Sequence, residues 1–217
     1  MKLIYSLQFI KMKKEISRYE DISTLYDEIS LGDDQVVVYK KFENITFDEK
    51  IKFYSFENCV FINCEFKGSF ISCTFHNVKF SKCELSNIIF DGCGIGKSLL
   101  ESCRMVGATL INSKIASSNI VNSNLLMINF DKVAFENTIL ENTKMSNANI
   151  ANVSIINTAF YNVDLTSSEF ITTSLKGVDL REAKIDDILI APEFLRGVIV
   201  NQVQAIEFIN LFGIVVK

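Results

Sequence analysis

From Phe70 to Ile190 every fifth residue is Phe, Leu, Ile or Met, without exception over 25 positions. An α-helix repeats at 3.6 residues and a flat strand at 2, so neither accounts for a strict five. The residue two before each of these centres is mostly small, as in Cys73, Val78, Cys83, Cys93, Ser98, Cys103, Ala108 and Ser113. Two inward positions separated by one outward residue describe a short strand followed by a corner. Four such sides close a square coil of about 20 residues, and coils stack at the interstrand spacing of about 4.8 Å. Each coil then hydrogen-bonds to its neighbours, and only the two ends stay open. The expected fold is an all-β solenoid, a right-handed quadrilateral β-helix. The column Gly68, Ile88, Ala108, Ile128, Ala148, Ser168, Ile188 varies between small and large along one side, as interleaved packing would use.

Upstream the register slips. Phe56, Phe61 and Phe66 are five apart, but Phe66 to Phe70 is four, which makes one coil a residue short. Phe42 and Phe47 form an earlier, imperfect pair. Counting from Phe56 gives about seven coils and a rod of roughly 34 Å. The chain divides into an N-terminal extension and helical cap (1–41), the β-helix (42–192) and a C-terminal capping and dimerisation segment (193–217).

Ala148-Asn149-Ile150, Val163-Asp164-Leu165 and Val178-Asp179-Leu180 resemble the pentapeptide-repeat family, whose consensus is roughly Ala-(Asp/Asn)-Leu-x-x. The resemblance covers well over half the chain and implies the same four-sided coil. It specifies the fold far more than the function.

The net charge of −4 comes from 22 basic and 26 acidic residues spread along the chain, with no basic patch to bind nucleic acid directly. The first apolar stretch, 3–10, is short and has no small-residue cleavage site after it, and no run of about 20 apolar residues follows. We expect a cytoplasmic protein without a membrane segment. Met12 begins a plausible start, so residues 1–11 read as an upstream extension.

All six cysteines, at 59, 64, 73, 83, 93 and 103, fall on the small inward position. Cys83 stacks on Cys103, and Cys73 on Cys93 on the opposite side. Their parallel side chains give an awkward disulfide torsion, so they are expected as reduced core thiols, with no metal bound. Gly92 to Ser98 resembles a phosphate-binding loop, but it has three residues between its glycines where the motif needs four, and it sits in repeat register. His76 is the only histidine and should face outward. We expect no cofactor and no catalytic site.

Asn122, Asn142 and Asn162 are 20 apart and should form a ladder at one corner, as should Asn137 and Asn157. Asparagine tolerates turn conformations, so the ladder either stabilises the corners or faces a partner.

At the N-terminal end, residues 15–30 place Ile16, Tyr19, Ile22, Leu25, Tyr26 and Ile29 at helical spacing, which predicts a capping helix ended by Gly32. Residues 35–39 then read as a strand. At the other end Asn201 caps a helix over 202–212 with Gly213 as its stop. Val203, Ile206, Phe208, Ile209, Leu211 and Phe212 are too many for one narrow stripe. They either serve one intramolecular cap or also join a second copy about a twofold axis. The tail, in particular Gln204-Ala205 and Leu211-Phe212-Gly213-Ile214, resembles the end of quinolone-resistance (Qnr-like) pentapeptide proteins. That resemblance implies a homodimer at this end and a rod that binds DNA gyrase or topoisomerase IV, protecting against fluoroquinolones. The alternative is a scaffold for an unrelated cytoplasmic protein. Unbroken fives from Phe70 to Ile190 leave no room for a projecting loop.

Overall fold

The computed structural model describes residues 35–211, with side chains to Ile209, and the backbone of residues 20–22. Within them the chain winds into stacked square coils. Face 1 carries the strands from Val36–Val38 to Ser154–Ile156, and face 2 those from Lys40–Glu43 to Ala159–Tyr161. Face 3 begins with Thr46–Phe47 and Glu65–Phe66 and continues as single bridges from Glu84 through Arg104, Asn124, Lys144 and Asp164 to Lys184. Face 4 holds eight strands, from Lys50–Lys52 to Leu189–Ile190. Every named pair is parallel, and the coils number eight, one more than the spacing from Phe56 predicts.

The square shape follows from two local choices. Two residues after most centres the backbone turns left-handed, for example at Asn58 (φ 53°), Asn77 (55°), Asn122 (51°), Asn142 (51°) and Asn162 (50°). A side chain other than glycine or asparagine resists that conformation by about 1–2 kcal/mol, so asparagine recurs there. Inside, the centres are buried from Phe42 to Ile190, with the one exception taken up below. In the first coils they are mostly phenylalanines stacked nearly parallel along the columns: Phe42 on Phe61 at 4.7 Å, Phe61 on Phe80 at 4.8 Å, Phe47 on Phe66 at 4.6 Å. Rings on adjacent faces meet edge to face, as Phe70 meets Phe75 at 5.0 Å and 90°. Both arrangements suit the ring quadrupole and add about 0.5–1.5 kcal/mol per pair beyond burial.

The small inward positions also satisfy the backbone. Ser98 Oγ accepts from the Val78 N–H (3.0 Å) and donates to the Gly96 carbonyl (2.9 Å). Ser118 accepts from Ser98, Ser113 from Cys93 and Thr173 from Val153 in the same way. A buried hydroxyl therefore belongs at these positions because it accepts one N–H and returns one donor. The cysteines keep the donor half: Cys59 Sγ points its proton at the Val37 carbonyl, 3.3 Å away.

The upstream slip occurs twice. Val37 pairs with Phe56 and Phe56 with Phe75, each 19 residues on, whereas Phe75 pairs with Ile95 at 20. Phe42 and Phe47 thus belong to a complete first coil, closed by a four-residue step from Phe47 to Ile51 that matches the step from Phe66 to Phe70. A Cβ on Gly68 would lie 1.8 Å from the Glu49 carbonyl oxygen, so only glycine lets the second short corner sit on the first.

The ends part from expectation on one side. Of the span expected to be a capping helix, 15–30, residues Glu20–Ile22 form a parallel strand against Lys40–Phe42, and the rest lies outside the described residues. At these three positions pairing with face 2 replaces the expected helical turn. The strand expected over 35–39 is present as Val36–Val38. At the C-terminus the helix Gln202–Leu211 forms as expected. Asn201 Oδ1 accepts from the Gln204 N–H (3.0 Å), and Gln204 Oε1 accepts from the Asn201 N–H (2.9 Å), a reciprocal capping pair. Gly213 lies outside the described residues. No helix among the described residues is long and apolar enough to cross a membrane.

Candidate functional site

Within the described rod, neighbouring coils are joined on all four faces up to the seventh; the junction of the seventh (154–171) with the eighth (174–190) is not. Faces 3 and 4 stay paired there, through Asp164 with Lys184 and Glu169 with Leu189. Faces 1 and 2 end at Ser154–Ile156 and Ala159–Tyr161. At the preceding junction the N–H groups of Asn137 and Asn142 donate to Ile156 and Tyr161 (3.0 and 2.9 Å), and those of Ser154 and Ala159 donate to Val133 and Thr138 (2.9 and 3.0 Å). One coil further on, the N–H groups of Asn157, Asn162, Ser174 and Asp179 have no such acceptor among the described residues. The five-residue spacing continues across this seam, but the ladder does not.

The cause is a change of turn. On face 3 the corner is a hydrogen-bonded turn in which Ile88 N–H donates to Leu85, Ile128 to Leu125 and Ser168 to Leu165. The residue before the centre stabilises it: Glu84 accepts from Ser86 N–H (2.9 Å), Asn124 from Leu126 (3.2 Å) and Asp164 from Thr166 (3.0 Å). Such side-chain acceptors hold the chain in a turn in place of an extended ladder. Faces 1 and 2 are extended through the seventh coil and then adopt this same device in the eighth. Ser174 accepts from Lys176 N–H (3.3 Å) and Asp179 from Arg181 N–H (3.1 Å), while Val178 N–H donates to Leu175 (3.0 Å) and Ala183 to Leu180 (2.9 Å). On face 3 like stacks on like. On faces 1 and 2 a turn lies over a strand, and the peptide groups no longer meet.

The result is a groove of about 850 Å³. Ile155, Ile156 and Phe160 line the coil-seven lip, and Lys176, Val178 and Arg181 the coil-eight lip. Ile155 is the one centre between Phe42 and Ile190 that is not buried, and Ile156 beside it is 54% exposed. A Cβ on Gly177 would meet no atom within 4 Å among the described residues, although the Gly177 N–H is itself taken up by the Gly197 carbonyl (2.8 Å). Arg181 grips Asp179 by a fork, Nε to Oδ1 at 2.9 Å and Nη2 to Oδ2 at 2.7 Å. That guanidinium is the main reason the Asp179 carboxyl sits below the usual carboxylate range.

The coil-eight lip is held from behind. Gln204 Nε2 donates to the carbonyls of Leu180 (2.7 Å) and Ala183 (2.8 Å), and the side chain is buried. Phe208 is buried beside Ile185 and Ile188. Of the residues expected at a dimer contact, Val203 and Ile206 are exposed (68% and 48%), Phe208 is spent inside the chain, and Ile209 is half-buried. The side chains of Leu211 and Phe212 lie outside the described residues.

The other expected features fall as follows. Asn122, Asn142 and Asn162 are exposed and linked, Asn142 donating to Asn122 (3.2 Å) and Asn162 to Asn142 (2.9 Å); Asn162 ends its ladder at the seam. All six cysteines are free and buried. Cys64 joins the column of Cys83 and Cys103, which the short coils had hidden. Burial pushes the Cys59 thiol up to about 11. Cys83 rises to about 12, chiefly through Cys103 beside it. Gly94–Gly96 is a strand with Ile95 buried, so the glycine-rich segment is wall and not a phosphate loop. His76 is exposed on face 1, and no group of three metal-binding side chains occurs among the described residues.

The fold defines the class of four-sided parallel β-solenoids built from five-residue repeats. Residues 128–166 match the family model described as Pentapeptide repeats (8 copies). Among solved structures it is similar to a trypsin-treated, singly substituted form of QnrB1, a plasmid-mediated fluoroquinolone resistance protein, at 21% identity over 82% of this chain and 97% of that one, with a TM-score of 0.44. It is also similar to HetL, a pentapeptide-repeat protein involved in heterocyst differentiation regulation from the cyanobacterium Nostoc sp. strain PCC 7120 (11% identity, 79% and 93% covered, TM-score 0.30). A third is the pentapeptide-repeat protein Rfr23 from the cyanobacterium Cyanothece 51142 (15%, 81% and 97%, 0.26). No curated protein sequence matches the chain.

Proposed function

We propose that this chain is a non-catalytic binding protein whose ligand is another protein, engaged along the rod. The observation that carries this reading is the seam, a place where an otherwise fully paired wall leaves main-chain donors and apolar side chains open to a partner. Charge does not favour nucleic-acid mimicry as the means of that binding. Outward charges compensate each other across coils, Lys79 with Glu101 (2.7 Å), Lys114 with Glu136 (2.7 Å) and Arg104 with Glu84 (3.4 Å), so acidic groups on these faces alternate with basic ones and do not run as a stripe. A second copy joined through Val203 and Ile206 would double the surface, and the exposed Asn122, Asn142 and Asn162 corner is a further contact candidate.

The first partner to test is a type II topoisomerase. The tail supports this choice, because Gln204, part of its resemblance to Qnr-like proteins, is what seats the closing helix. Purified gyrase would be assayed for binding and for supercoiling in the presence of a fluoroquinolone. Binding with rescue of supercoiling supports the topoisomerase reading. Absence of both at micromolar protein removes it and leaves a scaffold for a different protein. Photo-crosslinkers at position 159 and position 203, used in cells, test the broader reading. If neither yields an adduct with another protein, the binding-protein assignment falls.

A further inference from the structure

We propose that the seam accepts one extended peptide segment as an inserted strand, with apolar side chains at alternate positions and an acidic residue opposite Lys176. This rests on the protein-binding reading and specifies what the bound segment looks like.

Three observations lead to it. The first is the main chain. Asn157 and Asn162 on one lip and Ser174 and Asp179 on the other hold N–H groups without partners across the seam among the described residues, at positions that pair in the preceding junction. An extended chain is the ligand that offers backbone acceptors at matching intervals, and strand addition to an open edge is a recurrent mode of peptide recognition. The second is the side-chain pattern. Ile155 is half-buried although every other centre from Phe42 to Ile190 is closed off, Ile156 is exposed, and Phe160 and Val178 floor the groove. An alternating apolar strand would cover the two isoleucines. The groove has the volume of a small-molecule cleft, but it is bounded by backbone on both lips, which selects a strand over a compact ligand.

The third is charge. The coil-seven lip, 155–161, carries no charged residue. On the coil-eight lip Asp179 and Arg181 neutralise each other, and Glu182, close enough to act on Arg181 through space, keeps its own charge. Among the described residues, Lys176 remains as the cation without a carboxylate partner on either lip, its stem lying near Gly197. An acidic residue in the bound segment complements it.

The test is selection of a phage-displayed random dodecapeptide library on the full chain, followed by fluorescence anisotropy of the enriched peptide. The same peptide N-methylated at alternate residues serves as the comparison. We expect enriched sequences that alternate apolar residues and contain Asp or Glu. N-methylation should weaken binding at least tenfold, because it removes strand hydrogen bonds while keeping the side chains. Lys176→Glu should reverse the preference from the acidic peptide to its lysine-substituted form, and Ala159→Trp should block the groove. Equal binding of the N-methylated peptide, or unchanged binding to Ala159→Trp, places the peptide elsewhere on the rod; the seam proposal is then overturned while protein binding survives. Failure to enrich any peptide overturns it as well. A shift of the chain to a smaller species on gel filtration in Ala159→Trp assigns the groove to a second copy and also overturns it.

Discussion

The rod has two irregular places, and they are irregular in opposite ways. In the first two coils the spacing fails, with four residues between Phe47 and Ile51 and between Phe66 and Phe70, yet the strands above and below remain paired on every face. Between the seventh and eighth coils the spacing is perfect, yet two faces come apart. A short corner stacks well if its neighbour is short in the same place. A corner of normal length stacks badly if its peptide groups are turned differently from those below. The ladder therefore depends on like conformations meeting, and residue count enters only as far as it sets conformation.

The largest expected effect probes the short corner. Gly68→Ala would drive a Cβ into the Glu49 carbonyl, a backbone atom that cannot swing aside, and should cost roughly 3 kcal/mol or more. Gly94→Ala, whose nearest contact would be 3.8 Å away, should stay within about 0.5 kcal/mol. Denaturant unfolding of both variants decides the matter, and equal midpoints would mean the corners are not tightly matched. The next effect probes the coil-eight lip. Gln204→Ala strips the partners from the Leu180 and Ala183 carbonyls and should cost about 2–3 kcal/mol. Proteolysis should then begin in the eighth coil, since faces 1 and 2 give it no hold on the seventh. A smaller effect reads the seam itself. By hydrogen exchange the amides of Asn157 and Asn162 should exchange at least roughly tenfold faster than those of Asn137 and Asn142, which occupy equivalent corners one coil earlier. Equal protection would show that the seam is closed in solution.

The same contrast explains what the sequence could and could not show. Large apolar centres report where side chains point, so the four faces, the buried thiols and the outward His76 follow from the spacing of five. Turn conformation is set by the residues around each centre, and there the signal is fainter. Asp179 occupies a column that holds Lys79, Leu99, Asn119, Ile139 and Ala159 in earlier coils, and Gly177 follows Asn137 and Asn157. Asp164 and Asp179 look alike as consensus matches, but one stacks on its own kind and the other does not. A comparison down each column, and not only along the chain, would have marked the eighth coil as different. The first coil escapes notice for a related reason: its own short step, from Phe47 to Ile51, is invisible until the coil above it is known to be short as well.

The smallest prediction concerns the closed side of the eighth coil, where the helix meets the corner at Ile185 to Leu189. One carboxylate oxygen of Glu207 is buried there without a hydrogen bond among the described residues. Burial, followed by the charges of Asp186 and Asp187, raises its pKa above the ordinary carboxylate value. For an acid shifted this way the folded chain holds its proton more tightly than the unfolded one. Its stabilising share is therefore complete below about pH 4.3 and is lost as pH rises through the higher folded value. Near neutrality the ionised carboxylate works against the cap. Because solvent screens much of that repulsion, Glu207→Gln should gain only about 0.3–0.5 kcal/mol at neutral pH, and the gain should vanish in acid. Unfolding midpoints of the two proteins against pH would show the curves converging on the acid side. If the glutamine variant is the less stable at neutral pH, the carboxylate is making a contact that holds the helix down. The closed side of the eighth coil would then be tied more firmly than its packing implies, widening the contrast with the open seam opposite.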